Sequence, residues 1–369
     1  MTVTAADVVV VGGGITGLAV AAWLSDDRTV QVLEAEATVG HHATGRSVAQ
    51  YLEHYGGPVN ERLTRASRPY FDRPPPEDVE VPLLSPRPLL TVGSADQTEQ
   101  LAALVETGGG ALEALDAREA LAWCPGLRPE WLGGAVLDPD GQDLDVMALH
   151  GGFRRRLLRQ GGALSTGARV SALERSGGLW RATTAVGTFE APVVVDAAGA
   201  WADQVAVLAG VAPVGLQPLR RTALVVPVKV PVLGWPLVEA VDGSCYAKPE
   251  GPEALVCSPA DETPSVPVDA RPEPEDVARA LERLRQLLTV ELRSVRHAWA
   301  GLRSFVADRQ PVIGPDEVPG FFWLAGVGGT GIQSAPALGQ LAAALVRGEP
   351  PPAGLGVSAA EVAPGRCRA

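Results

Sequence analysis

The sequence predicts an α/β protein in which a Rossmann-like nucleotide-binding domain is interleaved with an α+β domain built on a mostly antiparallel sheet. Three observations predict it. A glycine-rich turn near the start joins a β-branched run to an Ala/Leu-rich segment. Short apolar runs of the same kind return near residues 193 and 321. The long stretches between them carry proline-rich loops and strand patterns of another character.

Val8, Val9, Val10 and Val11 form a run suited to a strand buried on both faces of a parallel sheet. Residues 15–25, rich in Ala and Leu, read as a helix, 26–28 as a turn and 30–33 as the next strand, which completes a βαβ unit. From Leu52 to about Asp140, Pro74, Pro75, Pro76 and the proline-rich stretch 82–88 argue for loops and edge strands. Asp145 is placed as an N-cap, with Val146, Leu149, Phe153 and Leu157 forming one apolar helix face that stops at Gly161 and Gly162. Arg154, Arg155, Arg156 and Arg159 follow as a solvated, dipole-favoured helix end. Residues 191–200 repeat the buried-strand signal. Residues 220–231 and the stretch around Tyr246 read as strands of a different sheet, and 274–288 as an amphipathic helix. Residues 321–325 form a strand, 326–331 a glycine loop and 332–347 a closing helix, and the tail from Pro350 is expected to be loosely held.

Composition narrows the function classes. Hydrophobic residues at 46% and charged residues at 20% describe a folded soluble protein. A net charge of -12 leaves no cationic footprint for nucleic acid, and disfavours stable association with an anionic membrane. Cys124, Cys245, Cys257 and Cys367 are scattered without zinc or dithiol spacing, and the five histidines show no metal spacing. The apolar run from Val8 to Leu24 is short for a membrane span, is interrupted by glycines, and follows Asp7 instead of a basic segment. A cytoplasmic protein with reduced thiols and no metal is expected.

Gly12, Gly14 and Gly17 form G-x-G-x-x-G between strand and helix, with Glu34 at the end of the second strand. Gly12 allows the tight turn, Gly14 lets backbone approach a pyrophosphate, and Gly17 lets helix and strand pack. The helix N-terminus supplies free N–H groups and a positive dipole end, and the Glu34 carboxylate accepts a ribose hydroxyl. Together these predict a dinucleotide site, but the glycines alone do not say which dinucleotide.

The more distant segments do. The opening pattern, continuing through Ala21 and Glu34 to Gly45-Arg46-Ser47, resembles the FAD-binding amine and amino-acid oxidoreductases, the group of D-amino-acid, glycine and sarcosine oxidases. Residues 196–201 (DAAGAW) are similar to that family's second cofactor segment, Gly301-Leu302-Arg303 with Asp308 and 311–314 (PVIG) to its late signature, and 328–333 (GGTGIQ) to its last glycine loop. Within the family, residues 42–47, 84–88 and 299–308 resemble bacterial D-arginine dehydrogenase. Asp27 departs from the pattern, standing where the first helix usually ends in Gly, a position Asp tolerates in the left-handed conformation. The resemblance implies a Rossmann-like FAD-binding domain from residues 1–48, 145–212 and 297–369, and a substrate domain from 49–144 and 213–296. FAD would be non-covalent, since no Cys lies in the family's attachment context. Cofactor contacts would come from Gly12, Gly14, Ile15, Thr16, Gly17, Glu34, Ala35, Thr44, Gly45, Arg46, Ser47, Val170, Ala198, Gly199 and Trp201, and later from Arg303, Gly328, Gly329, Thr330, Gly331, Ile332 and Gln333.

An amino acid needs a cationic clamp for its carboxylate, and planar guanidinium forks are suited to it. By the resemblance, Arg221 and Arg303 form that clamp, Tyr246 adds a hydroxyl, and the Gly329 carbonyl and Gln333 receive the amine. Tyr55, and Gln50 in place of the relative's His, sit on a mobile lid. Strand alternation sends Arg220 and Arg221 to opposite faces, so one of them is simply solvated. Arg303, among Trp299, Leu302 and Phe305, wants an anionic partner. Tyr246 could equally be a core residue. Leu89 stands where the D-arginine enzyme carries the acid that holds its substrate's guanidinium, which implies a substrate with an apolar or uncharged side chain. The expected activity is hydride transfer from Cα of a D-amino acid to flavin N5, giving an imine, with O2 or a quinone or dye as electron acceptor. The helix starting near Ile332 would stabilise negative charge at flavin N1 and O2. Two alternatives stand beside it: an oxidase of glycine, N-methyl amino acids or a secondary-metabolite amine, and a flavin-carrying assembly subunit with a vestigial site.

Overall fold

A computed structural model of the chain describes residues 3–260 and 262–368. Its six-stranded sheet runs Ala163–Ser165, Val30–Leu33, Val8–Val11, Val193–Asp196, Phe321–Ala325, Val312–Pro315. All pairings are parallel except the last. The valine run is buried on both faces, Val8 and Val10 against helices and Val9 and Val11 in the core that holds Trp180, Ala182 and Phe189. The helices Ile15–Leu24 and Gly331–Val346 pack against each other, with Leu18, Leu338 and Leu341 fully buried between them and the sheet. A four-stranded sheet, Val3–Ala5 to Gly187–Ala191 to Leu179–Thr184 to Ala172–Ser176, flanks this layer.

The second large sheet has nine strands. Its order is Thr263–Pro264, Gln217–Pro227, Ala254–Ser258, Tyr246–Pro249, Leu237–Ala240, Leu89–Ser94, Leu132–Asp138, Glu113–Leu115, with His297–Phe305 also paired to Gln217–Pro227. It is antiparallel apart from the contact between Leu237–Ala240 and Leu89–Ser94. The sheet and the helix Pro274–Leu287 enclose a separate core around Leu224, Leu255 and Leu284. The predicted α/β class with a mostly antiparallel second sheet is the observed one. The strand His297–Phe305, grouped by sequence with the nucleotide-binding segments, hydrogen-bonds along nine residues of Gln217–Pro227 and so belongs to the second sheet. A small sheet of Gln50–Tyr51, Gln142–Leu144 and Leu84–Pro86 joins the two parts.

Three local expectations need correction. The tail is held in place: Leu355, Val357 and Val362 are buried, and Arg366 pairs with Asp308 at 2.8 Å. The basic helix end is solvated at Arg154, Arg155 and Arg159 as expected, but it is also tied down, with Arg156 bonding Asp26 at 2.7 Å and lying 4.1 Å over the Trp23 ring, and Arg159 bonding the buried Asp78. Asp27 is not left-handed; the non-glycine residues with positive φ among those described are Ala260 and Arg309, and Asp27 instead accepts a 3.0 Å bond from Arg347.

Asp196 ends a central strand fully buried, with one carboxyl oxygen accepting the Ala198 N–H and the other without a partner. Burial raises its pKa well above the ordinary carboxylate value. The folded state then holds the proton to higher pH than the unfolded chain, so stability falls as pH rises from about 4 toward the folded-state pKa. Asp196→Asn is expected to gain stability relative to the parent as pH increases from 4 to 8. Denaturant melts of both proteins at the two pH values check this, and a pH-independent difference would contradict it.

Candidate active site

The strand Val8–Val11 delivers the chain into Gly12 at φ +112, where an added Cβ would lie 2.4 Å from the Ala197 carbonyl oxygen. At Gly17 a Cβ would fall 2.0 Å from the Gly12 oxygen, so this glycine sets helix–strand packing. Gly14 differs: a Cβ there would meet only the Thr44 hydroxyl, at 3.5 Å. Gly14 is also the N-cap of Ile15–Leu24 and has no side chain of its own to cap with; the Thr44 hydroxyl accepts the Ile15 N–H at 3.0 Å, and the helix N-terminus opens onto a cleft. One Glu34 carboxylate oxygen accepts from Gly13 N–H at 2.9 Å and the other from Glu36 N–H at 2.8 Å. So held, the carboxylate keeps acceptor capacity for a hydroxyl at the end of the cleft. These features fit the pyrophosphate and ribose of FAD.

Most of the expected cofactor residues line this cleft: Gly12, Gly14, Ile15, Thr16, Glu34 and Ala35 on one side, with Thr44, Arg46, Val170, Ala198, Gly199 and Trp201 around them. Others support from behind. Gly45 donates its N–H to Gly40 at 2.8 Å, and the buried Thr330 hydroxyl bonds Asn60 at 2.9 Å. Arg46 ties the loop to the second sheet through the Ala270 and Ala300 carbonyls, each at 2.9 Å. At the rim, Glu36, His41 and His42 bring ligand atoms within 4.8 Å of one another, a proximity their spacing does not announce; His42 stacks on Trp201. His150 is a packed core histidine, bonded to the Gly13 carbonyl at 3.0 Å.

A second cavity continues from the first, sharing Ile15, Thr44, Arg46, Gly301, Leu302 and Val327. Ser47, Gln50 and Tyr55 wall it on one side, Gly328, Gly329, Gly331, Ile332 and Gln333 on another, and Arg221, Tyr246 and Arg303 on the sheet side. Three of its donors, Arg221 Nε, Gln50 Nε2 and Gln333 Nε2, are buried with no partner among the described residues. Unpaired buried donors of this kind call for an acceptor-rich ligand. The Arg303 guanidinium donates to the Tyr55 hydroxyl at 3.1 Å and lies 3.6 Å from Glu262, which also faces Arg221 at 3.9 Å and Arg309 at 2.7 Å. The Arg221 guanidinium stands 5.4 Å from the Tyr246 ring centre, and burial holds the Tyr246 phenol above its ordinary pKa.

Arg220 does face away from Arg221, yet it is ion-paired instead of solvated, with Asp276 at 3.1 Å and Glu273. The Gln333 carbonyl oxygen accepts Leu52 N–H at 3.0 Å and keeps a second lone pair, while its Nε2 is buried without a partner among the described residues. Leu89 stands off the cavity lining; its strand neighbour Leu237 lines it, as does Glu239 two residues on. Sequence reasoning missed Glu239 and Glu262. The signal for Glu239 was a lone acid in an otherwise apolar strand, LVEA.

Gly329 makes room for the arginine: a Cβ there would sit 2.8 Å from the Arg303 guanidinium carbon. Gly329→Ala is expected to displace that group and raise KM roughly tenfold, since misplacements near 1 Å can cost up to a hundredfold. Thermal stability should change little. Steady-state kinetics beside a melting curve test the split.

The family of FAD dependent oxidoreductases matches residues 7–345. The FAD-dependent oxidoreductase domain-containing protein 1 of Bos taurus is 27% identical over 399 positions, covering 92% of this chain and 81% of that protein. The glycine oxidase of Geobacillus kaustophilus (strain HTA426) is 30% identical over 230 positions, 62% of this chain and 60% of that protein. In structure, glycine oxidase from Geobacillus kaustophilus superposes with a TM-score of 0.82 at 24% identity, covering 94% of this chain and 95% of the other. L-α-glycerophosphate oxidase from Mycoplasma pneumoniae with FAD bound gives 0.83 at 19%, covering 93% and 95%. At these identities the structural likenesses speak for the fold.

Proposed function

The chain belongs to the FAD dependent oxidoreductase family, and from that premise we propose that it oxidises the Cα–N bond of a D-amino acid to an imine, which water converts to a 2-oxo acid and ammonia. FAD, which the cleft lined by Gly12, Gly14 and Glu34 would hold, would supply the two-electron acceptance this oxidation needs. The observation that carries the reading is the convergence of Arg221 and Arg303 on a cavity continuous with the nucleotide cleft. Their forks take the substrate carboxylate, the Tyr55 hydroxyl fixes Arg303, and the free Arg221 Nε has an acceptor to gain. Glu262 holds both guanidinium groups in place before substrate arrives. Orientation does most of the work in such a site, and among the described residues its lining holds no histidine. The Geobacillus glycine oxidase supports an amino acid as substrate, and the resemblance to D-arginine dehydrogenase supports the D configuration. Leu89, on which the sequence rested the choice of an apolar or uncharged side chain, does not line the cavity. FAD is taken as non-covalent: none of the four cysteines lines either cavity among the described residues.

The test is anaerobic bleaching of the purified yellow protein by D- and L-amino acids, glycine and N-methyl amines. Rapid bleaching by D-amino acids supports the proposal. Bleaching by glycine and sarcosine alone moves the assignment to the glycine oxidase alternative, and no bleaching by any amine overturns it. Repeating the panel in air and with a quinone or dye identifies the acceptor.

A further inference from the structure

The cavity's polar side chains follow the strand order of the nine-stranded sheet. Arg303 and Arg221 stand on paired neighbours. Beyond them comes Ala254–Ser258, then Tyr246 on the next strand, then Glu239 on the next. At about 4.8 Å between strands, the strand of Glu239 lies about 14 Å from that of Arg221. The cavity therefore has a cationic end and an acidic end, with Ala223, Leu237 and the Tyr246 ring among the residues between and beside them. Glu239 makes no hydrogen bond or ion pair in the structure, among the described residues, although Glu262, Asp143 and Asp276 are each engaged by cations. Burial discourages its charge, and only the more distant Arg221 and Arg303 favour it. A partly buried carboxylate on a cavity wall, without a partner among the described residues, is complementary to a cation that arrives with the ligand.

We propose that Glu239 is the specificity residue of the site and holds a terminal ammonium or guanidinium of the substrate side chain, so that the preferred substrates are basic amino acids. The inference rests on the amino-acid reading above. Arginines take the α-carboxylate, the aliphatic stem crosses Tyr246 and Leu237, and the distal cation meets Glu239. It is the role sequence reasoning sought at Leu89, placed one strand over.

D-Lysine and D-norleucine differ only in the terminal ammonium and form the test pair. The wild-type protein is expected to be reduced by D-lysine with kcat/KM roughly ten- to hundredfold above D-norleucine, the value of a charge-assisted hydrogen bond. Glu239→Leu should reverse the order, and Glu239→Gln, which keeps size and loses charge, should bring the two near parity. Binding gives an independent readout: 5-aminopentanoate should perturb the flavin spectrum at lower concentration than pentanoate in the parent and not in Glu239→Leu. A parent that prefers D-norleucine, or a ratio indifferent to both substitutions, overturns the inference alone. A flavin that no amine bleaches and no carboxylate perturbs removes the amino-acid reading and the inference together.

Discussion

Arg303→Ala is expected to lower kcat/KM for the preferred amino acid by roughly two to three orders of magnitude, while the protein stays folded and yellow. Truncating one partner of a buried, charge-assisted pair costs about 2–5 kcal/mol, since the remaining charge loses its counterpart. Here that remaining charge is the substrate carboxylate, left with Arg221 alone. Folding should tolerate the change because Glu262, which Arg303 approaches at 3.6 Å, keeps its closer partner Arg309 at 2.7 Å. Arg303→Lys should recover only part of the loss, because an ammonium cannot reproduce the bidentate fork. Stopped-flow flavin reduction and the dissociation constant of a simple carboxylate measure the two halves. Full efficiency in the alanine variant would remove the clamp from consideration.

How far the sequence reached depended on the range of the interactions involved. Strands such as Val30–Leu33 and Phe321–Ala325, and the N-cap at Asp145, follow from neighbours a few residues apart, and they were legible. The glycine roles at residues 12 and 17 follow from one turn and were equally legible. Strand alternation separated Arg221 from Arg220, but the partner of Arg220 lies on a helix 56 residues away. The position of Leu89 beside the cavity lining, and not in it, has a related reason. Which side chain faces the cavity depends on the parallel register that sets Leu89 beside Leu237, and that pairing spans much of the chain. The state of Gln333 turns on Leu52, 281 residues distant, and no local pattern carries that information. The tail misled because a proline-rich stretch hides the buried Leu355, Val357 and Val362.

The glycine fingerprint separates into structural and cofactor-facing positions, and substitution should expose the difference. Gly17→Val places carbon 2.0 Å from the Gly12 carbonyl oxygen, where neither backbone can yield, so little folded protein is expected. At Gly14 an added Cβ meets only a hydroxyl at 3.5 Å, in a residue whose φ of -75 suits any side chain. Gly14→Val should fold, yet its side chain would occupy the space through which the pyrophosphate must approach the N-terminus of Ile15–Leu24. The expected product is soluble and colourless. Backbone N–H contacts and the helix dipole act together on the phosphates, so FAD affinity should fall at least a hundredfold. The flavin absorbance after purification, and the shift of the melting temperature on adding FAD, decide the matter. The parent should gain stability in proportion to the logarithm of FAD above its dissociation constant, and Gly14→Val should gain none. A yellow Gly14→Val protein with an undiminished melting shift would place the pyrophosphate elsewhere, and with it the hydride acceptor that the arginine clamp is meant to serve.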